Sequence, residues 1–130
     1  MTEDLTIDSS VIISSIITSE VTHLKALEII TSVIEKKQPV HFLFSVLVEV
    51  SGAIKLRTRS ALVANEVRNR LLNIPNIKFY ELTAERSEKA CLISIELGLR
   101  GMDAIIVQLS NELNTKLITF DAEILKKLGN

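Results

Sequence analysis

Two kinds of apolar pattern alternate along this chain. Short apolar runs at residues 5–7, 40–44, 77–79 and 116–120 are bounded by charged or turn-forming residues. Runs of this length suit buried strands of a parallel sheet. Between them, apolar residues recur at helical spacing. Val21, Leu24, Leu27, Ile30 and Ile34 predict a helix over 19–37, with Lys36 and Lys37 at its C-terminal end and Pro39 beyond it. Residues 11–17 are apolar enough for helix or strand; the Ser9-Ser10 start favours helix.

Further helices are predicted over 46–56, with Ser45 as N-cap, and over 60–72, with Val63, Val67 and Leu71 on one side. Glu49 stands four residues after Ser45, not at the three of a capping box. Residues 73–76 form a turn cluster around Pro75. Thr83 can cap a helix reaching 97, with Glu85 in its first turn. Gly98 and Gly101 interrupt the chain. Met102, Ile105, Ile106, Leu109 and Leu113 then mark an amphipathic helix, and Asp121 opens a last one. Strand and helix alternate throughout. This predicts an α/β fold: a parallel central sheet of about four to five strands, with helices on both faces, in a single domain over 1–130. No repeat, low-complexity segment or linker divides it.

Composition narrows the functional classes. The chain is 47% hydrophobic and 24% charged, which fits a globular domain and not a disordered one. Fifteen cations against 16 acids leave a net charge of −1, so any nucleic-acid-binding surface must be local. Cys91 is the single cysteine, which excludes an internal disulfide and fits a reducing cytosol; within an apolar helix it reads as a small core residue. Glu3 and Asp4 stand where a secretory leader would be positive, and no apolar run is long enough to span a bilayer. The expectation is a soluble cytoplasmic protein with no membrane partner.

The candidate chemistry lies in four acids. Asp8 follows the first strand and Asp121 the last, each after an apolar run and each opening a helix. Either alone suits a helix cap, but ligands of parallel α/β sheets bind outside the carboxyl ends of the strands. Glu49 interrupts the apolar stretch Val46-Leu47-Val48-Glu49-Val50, where a carboxylate needs solvent, a partner or a cleft. Asp103 begins the helix after Gly101 and lies beside its apolar stripe. If the four converge, their repulsion calls for a cation, and oxygen-only ligands suit Mg²⁺ or Mn²⁺. Carboxylate-held metal is suited to phosphodiester hydrolysis. His23 and His41 lack ligand spacing, and no Gly-rich phosphate loop or serine-nucleophile elbow occurs.

These segments resemble the PIN domain family of metal-dependent ribonucleases, and most closely its VapC-type toxin nucleases. The likeness spans the chain. It rests on Ile7-Asp8-Ser9-Ser10-Val11-Ile12, Ser45-Val46-Leu47-Val48-Glu49-Val50, Gly98-Leu99-Arg100-Gly101-Met102-Asp103-Ala104 and Leu117-Ile118-Thr119-Phe120-Asp121. The resemblance implies a three-layer PIN-like sandwich. It implies that Asp8, Glu49, Asp103 and Asp121 are catalytic and hold Mg²⁺ or Mn²⁺. It further implies single-stranded RNA cleavage leaving a 5′-phosphate and a 3′-hydroxyl, a homodimer and a cognate antitoxin. Thr119 matches a common hydroxyl position beside the last acid. The family often has Asn two residues after the first Asp; here Ser10 stands there, able to hydrogen-bond a phosphate or an acid over a shorter reach.

Two other readings compete. One is a PIN-like module that binds RNA or protein without cutting. The other is a phosphoacceptor receiver domain, which needs an Asp in mid-chain; none occurs between Asp8 and Asp103. Lys55, Arg57, Arg59, Arg68 and Arg70 are the cations considered for RNA contact, though a solvated helix surface accounts for most of them. RNA-binding residues are otherwise unassigned.

Overall fold

The computed structural model describes residues 3–129. Its elements in chain order are β1 (Leu5–Ile7), α1 (Ser9–Ile16), α2 (His23–Glu35), β2 (Val40–Leu43), α3 (Phe44–Thr58), α4 (Ala61–Leu72), β3 (Ile77–Tyr80), α5 (Ala84–Leu97), α6 (Gly101–Leu113), β4 (Lys116–Ile118) and α7 (Ala122–Lys127). The four strands form one sheet in the order β3-β2-β1-β4. All pairings are parallel: Leu5 lies opposite Val40 and Lys116, and Val40 opposite Ile77. The expected α/β architecture is therefore present, with four strands. Helices α1 to α4 pack on one another as one group, and α5 on α6 as another, the latter also packing on β1 and β4.

Every residue of β1 is buried, as a central strand covered on both faces requires. Around it Val11, Val40, Phe42, Val50, Ile54, Ile106 and Leu109 form a continuous core. Among the described residues, no helix is long and apolar enough to cross a membrane.

Several boundaries differ from the sequence expectation, each for a local reason. The chain passes from β2 into α3 without a loop, so Leu43 occupies the N-cap position and makes no side-chain cap bond. Ser45 falls inside the first turn, where its hydroxyl is buried without a partner. Helix α2 starts late because residues 17–22 turn back on α1. Thr22 Oγ1 meets Ser14 Oγ at 2.7 Å, and His23 Nδ1 lies 2.7 Å from the Ser14 carbonyl. The same helix turns most of its predicted stripe outward: Leu24, Leu27 and Ile34 are exposed, as is Val21 just before it. Its inward residues are Ala26 and Val33, with Ile29 and Ile30 packed beside them. Lys36 caps this helix and Lys37 adopts a left-handed conformation, so neither lies in its last turn. Cys91 is exposed on α5 and is not a core residue. Thr83 caps as expected, accepting from the N–H of Arg86, and Ser60 caps α4, accepting from the N–H of Val63.

Candidate active site

The chain leaves β1 towards β2 and β3, then returns on the far side of β1 to form β4. Strand order reverses there, and a crevice opens outside the carboxyl ends of β1 and β4. Asp8 directly follows β1, and Asp121 lies just beyond β4. Glu49 reaches the crevice from α3, and Asp103 from the first turn of α6. A cleft of about 350 Å³ is lined by all four acids together with Ser10 and Arg100. A larger cavity of about 590 Å³ beside α5 is almost wholly apolar and holds none of the acids.

Asp8 is only 3% exposed. It occupies the N-cap position of α1 but makes no side-chain cap bond. Its carboxylate is held from the side instead. Ser10 Oγ donates to Oδ2 at 2.7 Å, and Thr119 Oγ1 donates to the same oxygen at 2.8 Å. Oδ1 has only a 3.5 Å contact with Ser9 Oγ. Both hydroxyls also accept: Ser10 from the Phe120 N–H at 3.1 Å, Thr119 from the Asp121 N–H at 2.9 Å. They thus fasten the 119–121 loop across the end of β1. This explains why β4 stops at Ile118 and does not run on to Phe120.

Asp121 uses Oδ1 to cap α7, accepting from Glu123 and Ile124 N–H at 2.8 and 3.1 Å. The cap fixes its side chain where it lines the cleft. Glu49 is half-buried on α3, between the buried Val46 and Val50 that anchor that helix in the core.

Asp103 is the acid least provided for. Its side chain is 13% exposed, and the nearest cation, Arg100 Nε, stands 3.9 Å from Oδ2. That is too far for a hydrogen bond, and Oδ2 is buried without any partner. Burial is the first cause that pushes its carboxyl from 3.8 up to about 6; the charges of Asp121 and Asp8 add to this, Arg100 opposes it and Glu49 contributes. A buried carboxylate oxygen without a donor marks a place short of positive charge.

This donor set fits a hard divalent cation: oxygen only, acidic in excess and with an orphaned oxygen on Asp103. Among the described residues, no three acidic, His or Cys side chains already stand close enough to hold one ion. Mg²⁺ does not require that arrangement, because it keeps several waters and takes one or two carboxylates directly.

None of Lys55, Arg57, Arg59, Arg68 and Arg70 lines the cleft. Arg57 pairs with Glu20 at 3.0 Å, and Arg70 lines a separate groove with Glu66 and Ile74. Among the described residues, the cation that does line the cleft is Arg100, which sequence reasoning does not single out. Its position three residues before Asp103, on the same helix start, is the available signal.

A family model described as "PIN domain" matches residues 5–129. No curated protein matches the sequence significantly. Among solved structures, the chain is similar to the sarcin–ricin-loop-cleaving toxin VapC20 of Mycobacterium tuberculosis, with a TM-score of 0.76 and 20% identity over 96% of this chain and 95% of that one. It is also similar to a protein of Pyrobaculum aerophilum, with a TM-score of 0.71 and 17% identity over 98% and 86% of the two chains. A third is VapBC2 of Rickettsia felis, solved bound to a DNA fragment from its promoter, with a TM-score of 0.69 and 13% identity over 97% and 93%.

Proposed function

Because the chain belongs to the PIN domain family, we propose that it is a divalent-metal-dependent endoribonuclease cutting single-stranded RNA, the toxin of a toxin–antitoxin pair. The observation that carries this reading is the single cleft at the strand-order reversal, lined by carboxylates from four separate elements. Similarity in fold to VapC20 and VapBC2 supports the toxin assignment.

Asp8, Glu49, Asp103 and Asp121 would hold Mg²⁺ or Mn²⁺. Such an ion would activate a water and stabilise the charge developing on the phosphate. The chain's own residues prepare the site. Ser10 and Thr119 hold Asp8 through Oδ2, which leaves Oδ1 nearly free of hydrogen bonds. In this role Ser10 is a positioning residue, and the short serine suffices because it reaches both Asp8 and the Phe120 N–H. The α7 cap orients Asp121 in the same way. The buried, unpartnered oxygen of Asp103 supplies the strongest local demand for a cation.

The reading includes a second copy of the chain and an antitoxin as partners. Two exposed apolar tracts support it, the outward stripe of α2 and the Leu92–Ile95 face of α5.

RNA cleavage by the purified protein with Mg²⁺ or Mn²⁺, and its loss in chelator, tests the activity. Asp8→Asn is expected to abolish cleavage, and the products are expected to carry 5′-phosphates. Undiminished cleavage by Asp8→Asn, with contaminating nucleases excluded, would sink the assignment. RNA binding without any cleavage by the wild type would favour the non-cutting module.

A further inference from the structure

We infer that Arg100 is a substrate residue of this cleft, gripping a backbone phosphate of the RNA strand beside the one that is cut. The inference rests on the ribonuclease reading and adds to it the group that receives the strand. An RNA phosphate entering the cleft meets four carboxylates. A bound cation offsets that repulsion only near itself, since interactions between exposed charges fall off within about 10 Å in salt. Among the described residues that line the cleft, Arg100 is the one cation.

Its backbone is fixed and its side chain is not. Gly98 closes α5 in the left-handed conformation that glycine favours, with its N–H bound to the Ser94 carbonyl. Ser94 Oγ donates to the Leu99 carbonyl at 2.6 Å, and Leu99 is buried in the core. The Arg100 carbonyl accepts from Ala104 N–H at 2.9 Å as α6 begins. The side chain itself is 80% exposed, and its Nε comes no nearer to Asp103 Oδ2 than 3.9 Å. Arg86 shows the contrast: it makes three hydrogen bonds to Glu112 and one to the Glu81 carbonyl. Arg100 is thus a planar, permanently charged fork at the cleft rim with no protein partner at hydrogen-bond distance. That geometry matches two phosphate oxygens at once. Lys127 Nζ lies beside Gly98, 3.6 Å from where a Cβ would stand, so a second cation flanks the same loop. Phosphate contacts read no bases, so the grip is expected to act equally on all sequences that the enzyme cuts.

The competing role for Arg100 is electrostatic support of Asp103, acting through metal binding and not through RNA. Cleavage of a mixed panel of single-stranded RNA oligonucleotides with Mn²⁺, measured at several salt concentrations, separates the two. Melting of each protein with and without Mn²⁺ is followed in parallel. Arg100→Gln is expected to raise KM at least about tenfold, and to flatten the slope of log(kcat/KM) against log[salt] by about 0.7, the value for one lost single-strand phosphate contact. Its melting midpoint is expected to respond to Mn²⁺ as the wild type does. Arg100→Lys is expected to restore the salt slope but only part of KM. An unchanged KM and slope, or a loss of the Mn²⁺ response accounting for the defect, overturns the phosphate role. Failure of the wild type to cut any oligonucleotide overturns the ribonuclease reading, and this inference with it.

Discussion

Neutralising Asp103 should stabilise the metal-free protein, and this tests the carboxylate cluster without relying on activity. In the fold its carboxyl is raised from 3.8 to about 6, first by burial and then by Asp121 and Asp8. Raising a carboxyl by one pH unit corresponds to about 1.4 kcal/mol. Holding the ionised group therefore costs up to about 3 kcal/mol at neutral pH. That value already contains the attraction of Arg100, and solvent at the cleft mouth reduces the expected gain further, to about 1–2 kcal/mol. For a chain of this size that corresponds to a midpoint increase of roughly 3–10 °C.

The raised value also sets the pH dependence. In chelator the wild type is penalised above about pH 6, where Asp103 is ionised in both states. As pH falls towards 4 the native state takes up the proton first, and the penalty fades. The advantage of Asp103→Asn should therefore be full near pH 8 and nearly gone near pH 4. On the proposed reading Mn²⁺ should reverse the ranking, because an ion bound only by the native state stabilises it by mass action and the variant would have lost a ligand. Thermal melts of both proteins at pH 8 and pH 4.5, with chelator and with Mn²⁺, make the measurement. An Asp that serves only the first turn of α6 would stabilise its helix. In that case Asp103→Asn would melt no higher than wild type at pH 8, the two would respond alike to Mn²⁺, and the cluster would be refuted.

Thr119→Val keeps the shape but removes one hydroxyl that serves both Asp8 and the Asp121 N–H. It should cost about 1–3 kcal/mol in urea unfolding and lower kcat more than it raises KM; an unchanged kcat would separate Thr119 from the site. In solution the protein should scatter light as a dimer, given the exposed Leu24, Leu92 and Ile95; a monomer mass throughout the micromolar range would contradict this.

Much of this architecture is legible in the sequence because the strands are short apolar runs that end in polar residues. Leu5–Ile7 followed by Asp8, and Lys116–Ile118 leading to Asp121, mark both the strand and the place where its side chains change role. Periodicity is less informative about α2. It finds the stripe from Val21 to Ile34 but not its direction, because a helical repeat says which residues share a face and not what covers it. The start of α3 is hidden because Phe44 enters the helix directly from a strand, leaving no polar residue at the cap to signal it. The hydroxyl bridge joins residues 111 apart in sequence, and no local pattern encodes such a pairing. Arg100 escapes notice for a related reason: its meaning comes from a cleft assembled around it, whereas the basic run near Lys55 is conspicuous as a run and lies elsewhere.

The placement of β4 beside β1 has a consequence for the timing of synthesis. Thr119, which carries one of the two hydroxyls that hold Asp8, is made 111 residues after it. At roughly 5–20 residues per second the wait lasts about 6–22 s. During that interval β1 can pair with β2, but its other edge stays open and the cleft lacks a wall. A chain interrupted before Lys116 carries three of the four acids and holds the first of them through Ser10 alone. For an enzyme that would cut RNA, a ribosome-bound nascent chain is therefore spared a finished cleft until the last strand emerges.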